Sequence, residues 1–351
     1  MRTALVCPDK FRGTLTAAEA AGAMASGVRA AGGAGIGFDS VVELPLADGG
    51  EGTLEVLLAA RGGARRSARV TGPLGEPIEA EWALLPGGIA VVEMARASGL
   101  ARVEGRNDPL RASTRGTGEL IAAALRSAPR RVIVGVGGSA TTDGGLGALE
   151  ALGWSTAGVP ITVACDVSVR FLDAARRFGP QKGASEAQVA LLTRRLARLA
   201  EEYEARTGVD VRELTGSGAA GGLAGGLAAI GAELEPGFET VAEAAGLADA
   251  LDGVDFVVTG EGKLDATSFE GKTVGGVLDW AADAGVPNVA VIAGQVTAEA
   301  REELGVRANV QVLALTDRVW QGGEAFARAP MLVHEAALEA ARAVLGLGGL
   351  G

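Results

Sequence analysis

A glycine-rich segment with three hydroxyl side chains carries a strong chemical signal. Residues 131–153 read RVIVGVGGSATTDGGLGALEALG, a β-branched apolar run followed by a glycine-rich turn with Ser139, Thr141 and Thr142 and then by a Leu/Ala run. This order predicts a buried strand, a loop and a helix. Glycines let a ligand approach the backbone, and the first N–H groups of a helix attract anions because they lack intrahelical partners. The segment therefore predicts a cradle for a phosphate or carboxylate.

Two other interpretations of this loop stay open. One is a tight strand-to-helix turn that binds nothing. The other is a dinucleotide site, because Gly135, Gly137 and Ala140 match the G-x-G-x-x-A pattern and Asp166 ends a later strand. That aspartate lies further along the chain than the pattern requires, and the pattern is weak by itself.

Charged side chains also follow other strand-like runs. Asp9 and Arg12 follow the first run, and Asp48 and Glu51 flank two glycines after the second. Ligands of parallel α/β sheets gather at the carboxyl ends of strands. An acid pair around glycines suits a divalent cation that keeps several waters, so we predict a metal site at Asp48 and Glu51.

Residues 259–273, TGEGKLDATSFEGKT, end like a Walker A loop. Ala266 stands where that motif needs glycine, and no strand directly precedes the motif, so a P-loop is excluded. Phosphoryl transfer needs acids for magnesium, cations for the moving group and an acceptor for the substrate proton. The segment offers such groups after a buried strand: Glu261, Lys263, Asp265 and Lys272.

The composition narrows the function classes. The chain has 351 residues and a net charge of −11, which argues against nucleic acid and anionic membranes as partners. Its single histidine, His334, falls in a C-terminal helical pattern, which removes most histidine-dependent mechanisms. Two distant cysteines, Cys7 and Cys165, predict buried free thiols.

Neither a secretory leader nor a membrane span is expected, and we predict a cytoplasmic protein. Strand-like sequence begins at Thr3 without a charged-then-apolar leader. The long uncharged stretch 214–232 is rich in glycine and alanine and has few large apolar residues, so its insertion into a bilayer would be poorly driven.

The order of the elements predicts an α/β protein with two domains. Strands and helices alternate at both ends of the chain, which indicates a parallel, doubly wound sheet of the flavodoxin or Rossmann kind. Residues 78–85 and 89–94 instead predict an antiparallel hairpin. We therefore predict a discontinuous domain, 1–70 plus 253–351, and an inserted mixed α/β domain, 71–252, which carries the glycine-rich loop 135–145.

Taken together, the motifs resemble those of the bacterial glycerate kinase family, of the glycerate 2-kinase type. The shared motifs run along nearly the whole chain: PD at 8–9, ADGGEGT at 47–53, TGPLG at 71–75, RGTGELI at 115–121, GGSAT at 137–141, DGG at 143–145, FGPQKGA at 178–184, GAAGG at 218–222 and TGEG at 259–262. The resemblance implies ATP- and Mg2+-dependent phosphorylation of D-glycerate, with the 2-hydroxyl favoured. A homodimer is left open.

A hypothesis for the site residues follows from this resemblance. The nucleotide contacts are expected at Gly137, Gly138, Ser139, Thr141, Gly144 and Lys182, and the ligands of Mg2+ are expected at Asp48 and Glu51. Arg12 and Lys263 would bind the glycerate carboxylate or the transferring phosphoryl group. Asp265 or Asp143 would accept the proton of the attacking hydroxyl.

The sequence departs from the family pattern at two single residues and in two segments. Arg12 replaces the usual lysine, Lys263 replaces a common arginine, and the segment between Gly153 and Ile161 is short. Residues 168–177 also lack the family's Asn-Pro-Leu and glycine-containing loop. These departures leave two alternatives beside the kinase, a non-catalytic sensor of sugar acids or nucleotides and an NAD-dependent dehydrogenase.

Overall fold

The computed structural model describes residues 1–33, 35–307, 309–319 and 322–347. The strands are β1 (Thr3–Val6), β2 (Ser40–Glu43), β3 (Ala64–Thr71), β4 (Pro77–Leu85), β5 (Ile89–Glu93), β6 (Arg131–Gly135), β7 (Ile161–Cys165), β8 (Glu233–Pro236), β9 (Phe256–Leu264), β10 (Asn288–Val296) and β11 (Val310–Ala314).

Helices connect most of these strands. They are α1 (Ala17–Ala30), α2 (Thr53–Arg61), α3 (Ala95–Ser98), α4 (Arg115–Leu125), α5 (Leu146–Ala151), α6 (Ala174–Phe178), α7 (Glu186–Thr207), α8 (Ala219–Ala229), α9 (Gly237–Ala245), α10 (Leu247–Leu251), α11 (Thr273–Asp283), α12 (Ala298–Gly305), α13 (Gly322–Ala327) and α14 (Ala329–Val344). Short 3-10 turns lie at Leu100–Val103, Phe171–Asp173, Pro180–Lys182, Ala266–Phe269 and Leu315–Arg318.

The first compact unit comprises Met1–Asp48, Glu55–Ala60 and Val241–Gly351. Its sheet has the order β11-β10-β9-β1-β2, and every neighbouring pair is parallel. Small residues let α1 and α14 pack closely, since a Cβ added at Gly27 would lie 2.2 Å from the backbone oxygen of His334. The predicted parallel α/β arrangement is confirmed, and His334 lies on the packing helix α14.

The second unit comprises Gly49–Leu54 and Arg61–Thr240 and contains a mixed sheet. Its strand order is β3-β4-β5-β6-β7-β8. The pairs β3–β4 and β4–β5 are antiparallel, as the predicted hairpin requires, and the remaining pairs are parallel. The second unit begins before the predicted boundary near residue 70, because β3 pairs with β4 along its whole length.

Several local predictions are confirmed. Thr16 with Glu19 forms a capping box on α1, and Ser185 with Gln188 forms one on α7. Cys7 and Cys165 are buried free thiols. Within the described residues, no helix combines the length and apolar composition that crossing a membrane requires.

Candidate active site

In the first unit, the loop after β1 lies along the carboxyl half of β9. The N–H of Asp9 donates to the backbone oxygen of Gly260 at 2.9 Å, which extends the pairing of the two strands. The Asp9 carboxylate is 8% exposed and accepts hydrogen bonds from Thr273 Oγ1 at 2.8 Å and from the Lys10 N–H at 2.6 Å. Burial and the nearby Asp48 carboxylate raise the pKa of Asp9 to about 6.

Glu261, on β9, carries a second perturbed carboxyl group. Burial raises the pKa of Glu261 to about 7, although a hydrogen bond from the Ser268 side chain opposes the shift. The negative charge of Asp9 adds to the increase, and Lys272 opposes it. Glu261 Oε1 is buried and has no hydrogen-bond partner among the described residues. One oxygen of this carboxyl group is therefore left for a group that the protein does not itself provide.

Asp265 has a different environment from Glu261. It begins the 3-10 turn Ala266–Phe269, and its Oδ1 accepts from the N–H and the Oγ1 of Thr267 at 3.1 and 2.7 Å. Its Oδ2 lies 3.2 Å from Lys263 Nζ. The Thr267 hydrogen bond and Lys263 lower the pKa of Asp265. Asp265 is thus an ionised capping residue whose oxygens already have donors.

Arg12 lies beside the same end of β9. A Cβ added at Gly262 would lie 2.9 Å from the backbone nitrogen of Arg12, so glycine there permits the close approach of the two segments. The Arg12 side chain is exposed and makes no ion pair within the described ranges. Its guanidinium group is available for an anionic ligand.

In the second unit, the residues after β6 form an open backbone surface. Gly138 has a φ of +70°, and a Cβ added there would lie 2.9 Å from Glu51 Oε1. A Cβ at Gly137 would lie 2.6 Å from the Cα of Gly50. The N–H groups of residues 137–139 donate no hydrogen bond to any other described residue. The glycines therefore leave room for an anion or its cation next to Glu51.

The N–H groups at the start of α5 are not free to bind an anion, although the sequence predicts them to be. The N–H of Gly144 donates to the Gly221 oxygen at 3.0 Å, and those of Gly145 and Gly147 donate to the Asp143 carboxylate at 3.2 and 3.4 Å. The expectation that free amides of this helix hold an anion is wrong, because protein acceptors already occupy them.

Asp143 ties this loop to the start of α4. Its Oδ2 accepts from the N–H of Thr114 at 2.8 Å, from Thr114 Oγ1 at 2.9 Å and from Ser113 Oγ at 3.3 Å. These donors occupy the oxygen that a substrate proton would need.

Lys182 is buried and holds the glycine-rich loop in place through a hydrogen bond to its backbone. The side chain is 2% exposed, and its ammonium group donates to the backbone oxygen of Thr141 at 2.6 Å. Asn107 Nδ2 adds bonds to the oxygens of Ala140 and Lys182 at 3.2 and 2.8 Å. Of the predicted nucleotide contacts, Thr141, Gly144 and Lys182 are buried, and Gly137, Gly138 and Ser139 are more accessible.

The environment of Lys182 predicts how stability depends on pH. Burial lowers its pKa from 10.5 to about 7, and Asp143 opposes the shift. Between these pH values the unfolded chain binds one more proton than the native protein, so the native state gains stability as the pH rises. Lys182→Met is expected to remove this gain, as measured by urea unfolding at pH 7 and pH 9. Lys263→Met, at an exposed lysine, is the control; an unchanged slope in Lys182→Met would contradict the prediction.

The short connection between Gly153 and Ile161 packs against α7 through Trp154. Trp154 adopts a left-handed conformation, its ring meets Tyr203 edge-on, and the Arg206 guanidinium group lies 4.0 Å above it. Beyond β7, the 3-10 turn Phe171–Asp173 buries Phe171 against Tyr203. The first residue after Gly153 therefore anchors the short segment to an aromatic cluster.

In these two α/β units, buried carboxyl groups and an open glycine-rich loop lie at the carboxyl ends of parallel strands, which is the arrangement of enzymes that bind anionic small molecules. The model of the glycerate kinase family matches residues 4–158 and 154–345. The chain therefore belongs to the glycerate kinase family.

Individual relatives agree with this assignment. A glycerate 2-kinase of Escherichia coli (strain K12) is 40% identical over 312 residues, covering 78% of this chain and 81% of the relative. A glycerate kinase of Halalkalibacterium halodurans is 38% identical over 375 residues, covering 96% and 97%. The crystal structure of a protein assigned as glycerate kinase 2 from Salmonella typhimurium LT2 superposes with a TM-score of 0.82 at 34% identity, covering 97% and 98%. These relatives do not favour the sensor or dehydrogenase interpretation.

Proposed function

We propose that the protein transfers the γ-phosphoryl group of ATP to the 2-hydroxyl of D-glycerate with the help of Mg2+. The family supports a kinase that acts on a small molecule. The observation that carries the proposal is the Glu261 carboxyl group, whose buried Oε1 has no partner among the described residues. Phosphoryl transfer to an alcohol needs such an acceptor for the hydroxyl proton.

Glu261 suits the role of proton acceptor better than the two aspartates expected from the sequence. A pKa of about 7 lets the carboxylate take a proton near neutral pH and release it again. Asp265 has a lowered pKa, and the Oδ2 of Asp143 already has several donors. In this mechanism Asp9 keeps Glu261 basic through its charge, and Asp143 positions the glycine-rich loop.

The cations of the first unit would hold the anionic substrate. Arg12 is exposed and makes no ion pair within the described ranges, and a guanidinium group can bind the glycerate carboxylate through two hydrogen bonds. Lys263 pairs with Asp265 at 3.2 Å and is mostly exposed, so it can shift its contact toward a phosphoryl oxygen. Both residues keep the roles expected from the sequence.

Residues 137–139 would bind the phosphates through their N–H groups, and Asp48 and Glu51 would hold Mg2+. One observation fits Glu51 in this role: a Cβ added at Gly138 would lie 2.9 Å from Glu51 Oε1, so glycine there leaves space at that carboxylate. A site with few protein ligands is typical of Mg2+, which keeps several waters. When bound, Mg2+ neutralises the charge that develops on the phosphates.

A coupled ADP-release assay tests the proposed function. We expect Mg2+-dependent release with D-glycerate and much less with L-glycerate or tartronate, and phosphorus NMR of the product should show coupling to the proton on C2. Coupling to the protons on C3 would instead place the phosphate on the 3-hydroxyl. Saturable glycerate binding without ADP release at high enzyme concentration would contradict the kinase and favour a sensor.

A further inference from the structure

A cavity of about 430 Å³ lies in the second unit, and the end of the glycine-rich loop 135–145 forms part of its wall. Three segments line it: the loop that precedes α4, the turn that leads into α5, and one face of α7. The lining residues are Pro109, Leu110, Ala112, Thr142, Asp143, Leu146, Arg195, Arg198, Leu199 and Glu202. Its size and its mainly apolar walls are typical of a small-molecule site.

Hydrogen bonds fix the walls of this cavity. Arg195 Nη1 donates to the backbone oxygen of Leu110 at 3.0 Å, which ties the loop before α4 to α7. On the other side, the buried Tyr203 hydroxyl donates to the oxygen of Gly144 at 3.0 Å, which ties α7 to the turn before α5. The cavity is therefore preformed rather than a gap between loose loops.

Several polar groups at the cavity are left for a ligand. Thr142 is 2% exposed, and its Oγ1 has no hydrogen-bond partner among the described residues. A buried hydroxyl without a partner is costly, so it indicates a group that the protein alone does not supply. Arg198 is exposed and makes no ion pair in the described part of the chain. Asp143 Oδ1 accepts only one bond there, from the Gly145 N–H.

We propose that this cavity holds the purine nucleoside of the nucleotide. The inference rests on the proposed function, which places the phosphates on residues 137–139. Thr142 and Asp143 line the cavity and follow that segment by three and four residues, so the chain leads from the phosphate-binding amides to the wall of the cavity.

The lining explains how a nucleoside would be recognised. Leu110, Leu146 and Leu199 offer apolar surface to the faces of a base, and the guanidinium group of Arg198 can stack on a π-system. The Thr142 hydroxyl can bond to a ring nitrogen or an exocyclic amine. The carboxylates of Asp143 and Glu202 can accept hydrogen bonds from the ribose hydroxyls.

Calorimetric titration with ADP tests the inference without relying on turnover. Thr142→Val removes the unpartnered hydroxyl at nearly constant volume and is expected to raise the Kd for ADP about fivefold. Arg198→Glu is expected to raise it about tenfold or more, because it replaces a stacking cation with an anion. Arg194→Glu, which changes an exposed arginine one helical turn away and outside this cavity, is the matched control and should bind like the wild type.

The outcomes separate this inference from the proposed function. If Thr142→Val and Arg198→Glu bind ADP as the wild type does, or if Arg194→Glu loses as much affinity, the nucleoside does not occupy the cavity, whether or not the enzyme is a kinase. If the wild type binds ADP and the two variants bind it weakly, the inference holds even where no phosphoglycerate is formed. In an active enzyme, the same variants should raise the KM for ATP and leave the KM for D-glycerate unchanged.

Discussion

Replacing Glu261 with glutamine is expected to lower kcat for D-glycerate by about 10²- to 10⁴-fold, which is the usual contribution of a general base. Glutamine keeps the size of the side chain and can still accept the Ser268 hydrogen bond, but it cannot take up a proton. In the wild type, kcat/KM should fall as the pH drops below about 7, because protonation removes the base. The variant should lose this acidic limb.

Controls separate a base from a metal ligand or a structural residue. Glu270→Gln, at an exposed glutamate nearby in the sequence, should keep wild-type turnover and the wild-type pH profile. Glu261→Asp should recover part of kcat. Restoration of Glu261→Gln turnover by added Mg2+ would mean that Glu261 binds the metal, and the proposed role as base would then be wrong.

Gly221→Ala should have the largest effect on stability. Gly221 has a φ of +68°, and a Cβ there would lie 2.0 Å from the Thr141 oxygen and 2.7 Å from the Thr142 Cα. Both are backbone atoms of the loop that Lys182 supports, so neither can rotate away as a flexible side chain would. The free energy of unfolding should fall by about 3 kcal/mol or more, from backbone strain and overpacking together.

A second glycine separates these two contributions. Gly208 ends α7 with a φ of +78°, and a Cβ there would meet no atom within 4 Å. Gly208→Ala should therefore lower the free energy of unfolding by only about 1–2 kcal/mol, which is the cost of holding alanine in the left-handed conformation. Equal losses for the two variants, measured by urea unfolding, would contradict the steric argument for Gly221.

The features predicted correctly from the sequence depend on local patterns. Capping boxes, buried β-branched strands and the hairpin of β4 and β5 each follow from residues a few positions apart, and the structure confirms them. The family motifs add the activity class, because many colinear motifs must agree at once.

The features that sequence reasoning missed depend on contacts between distant residues. The sequence places Asp9 and Glu261 in loops that follow strands but assigns neither a role, because the roles proposed above depend on the pairing of β1 with β9, about 250 residues apart in the chain. A sequence gives the type of an acid but not its burial, and burial is the main cause of the raised pKa of Glu261. Likewise, Lys182 could be identified as a cation but not as one buried beneath the loop.

The hydrogen bonds that hold the glycine-rich loop in place affect how fast a ligand associates with it. Its carbonyl groups are held by Leu100, Asn107 and Lys182, so the unbonded amides are already in place before a ligand arrives. Such preorganisation removes most of the conformational entropy that ordering a loop on binding would cost. The chain has a net charge of −11, so long-range repulsion then becomes a main barrier to the approach of an anion. Magnesium reduces the negative charge of a nucleotide, so the magnesium complex should associate faster than the free nucleotide. This difference in association rate should be larger at low ionic strength.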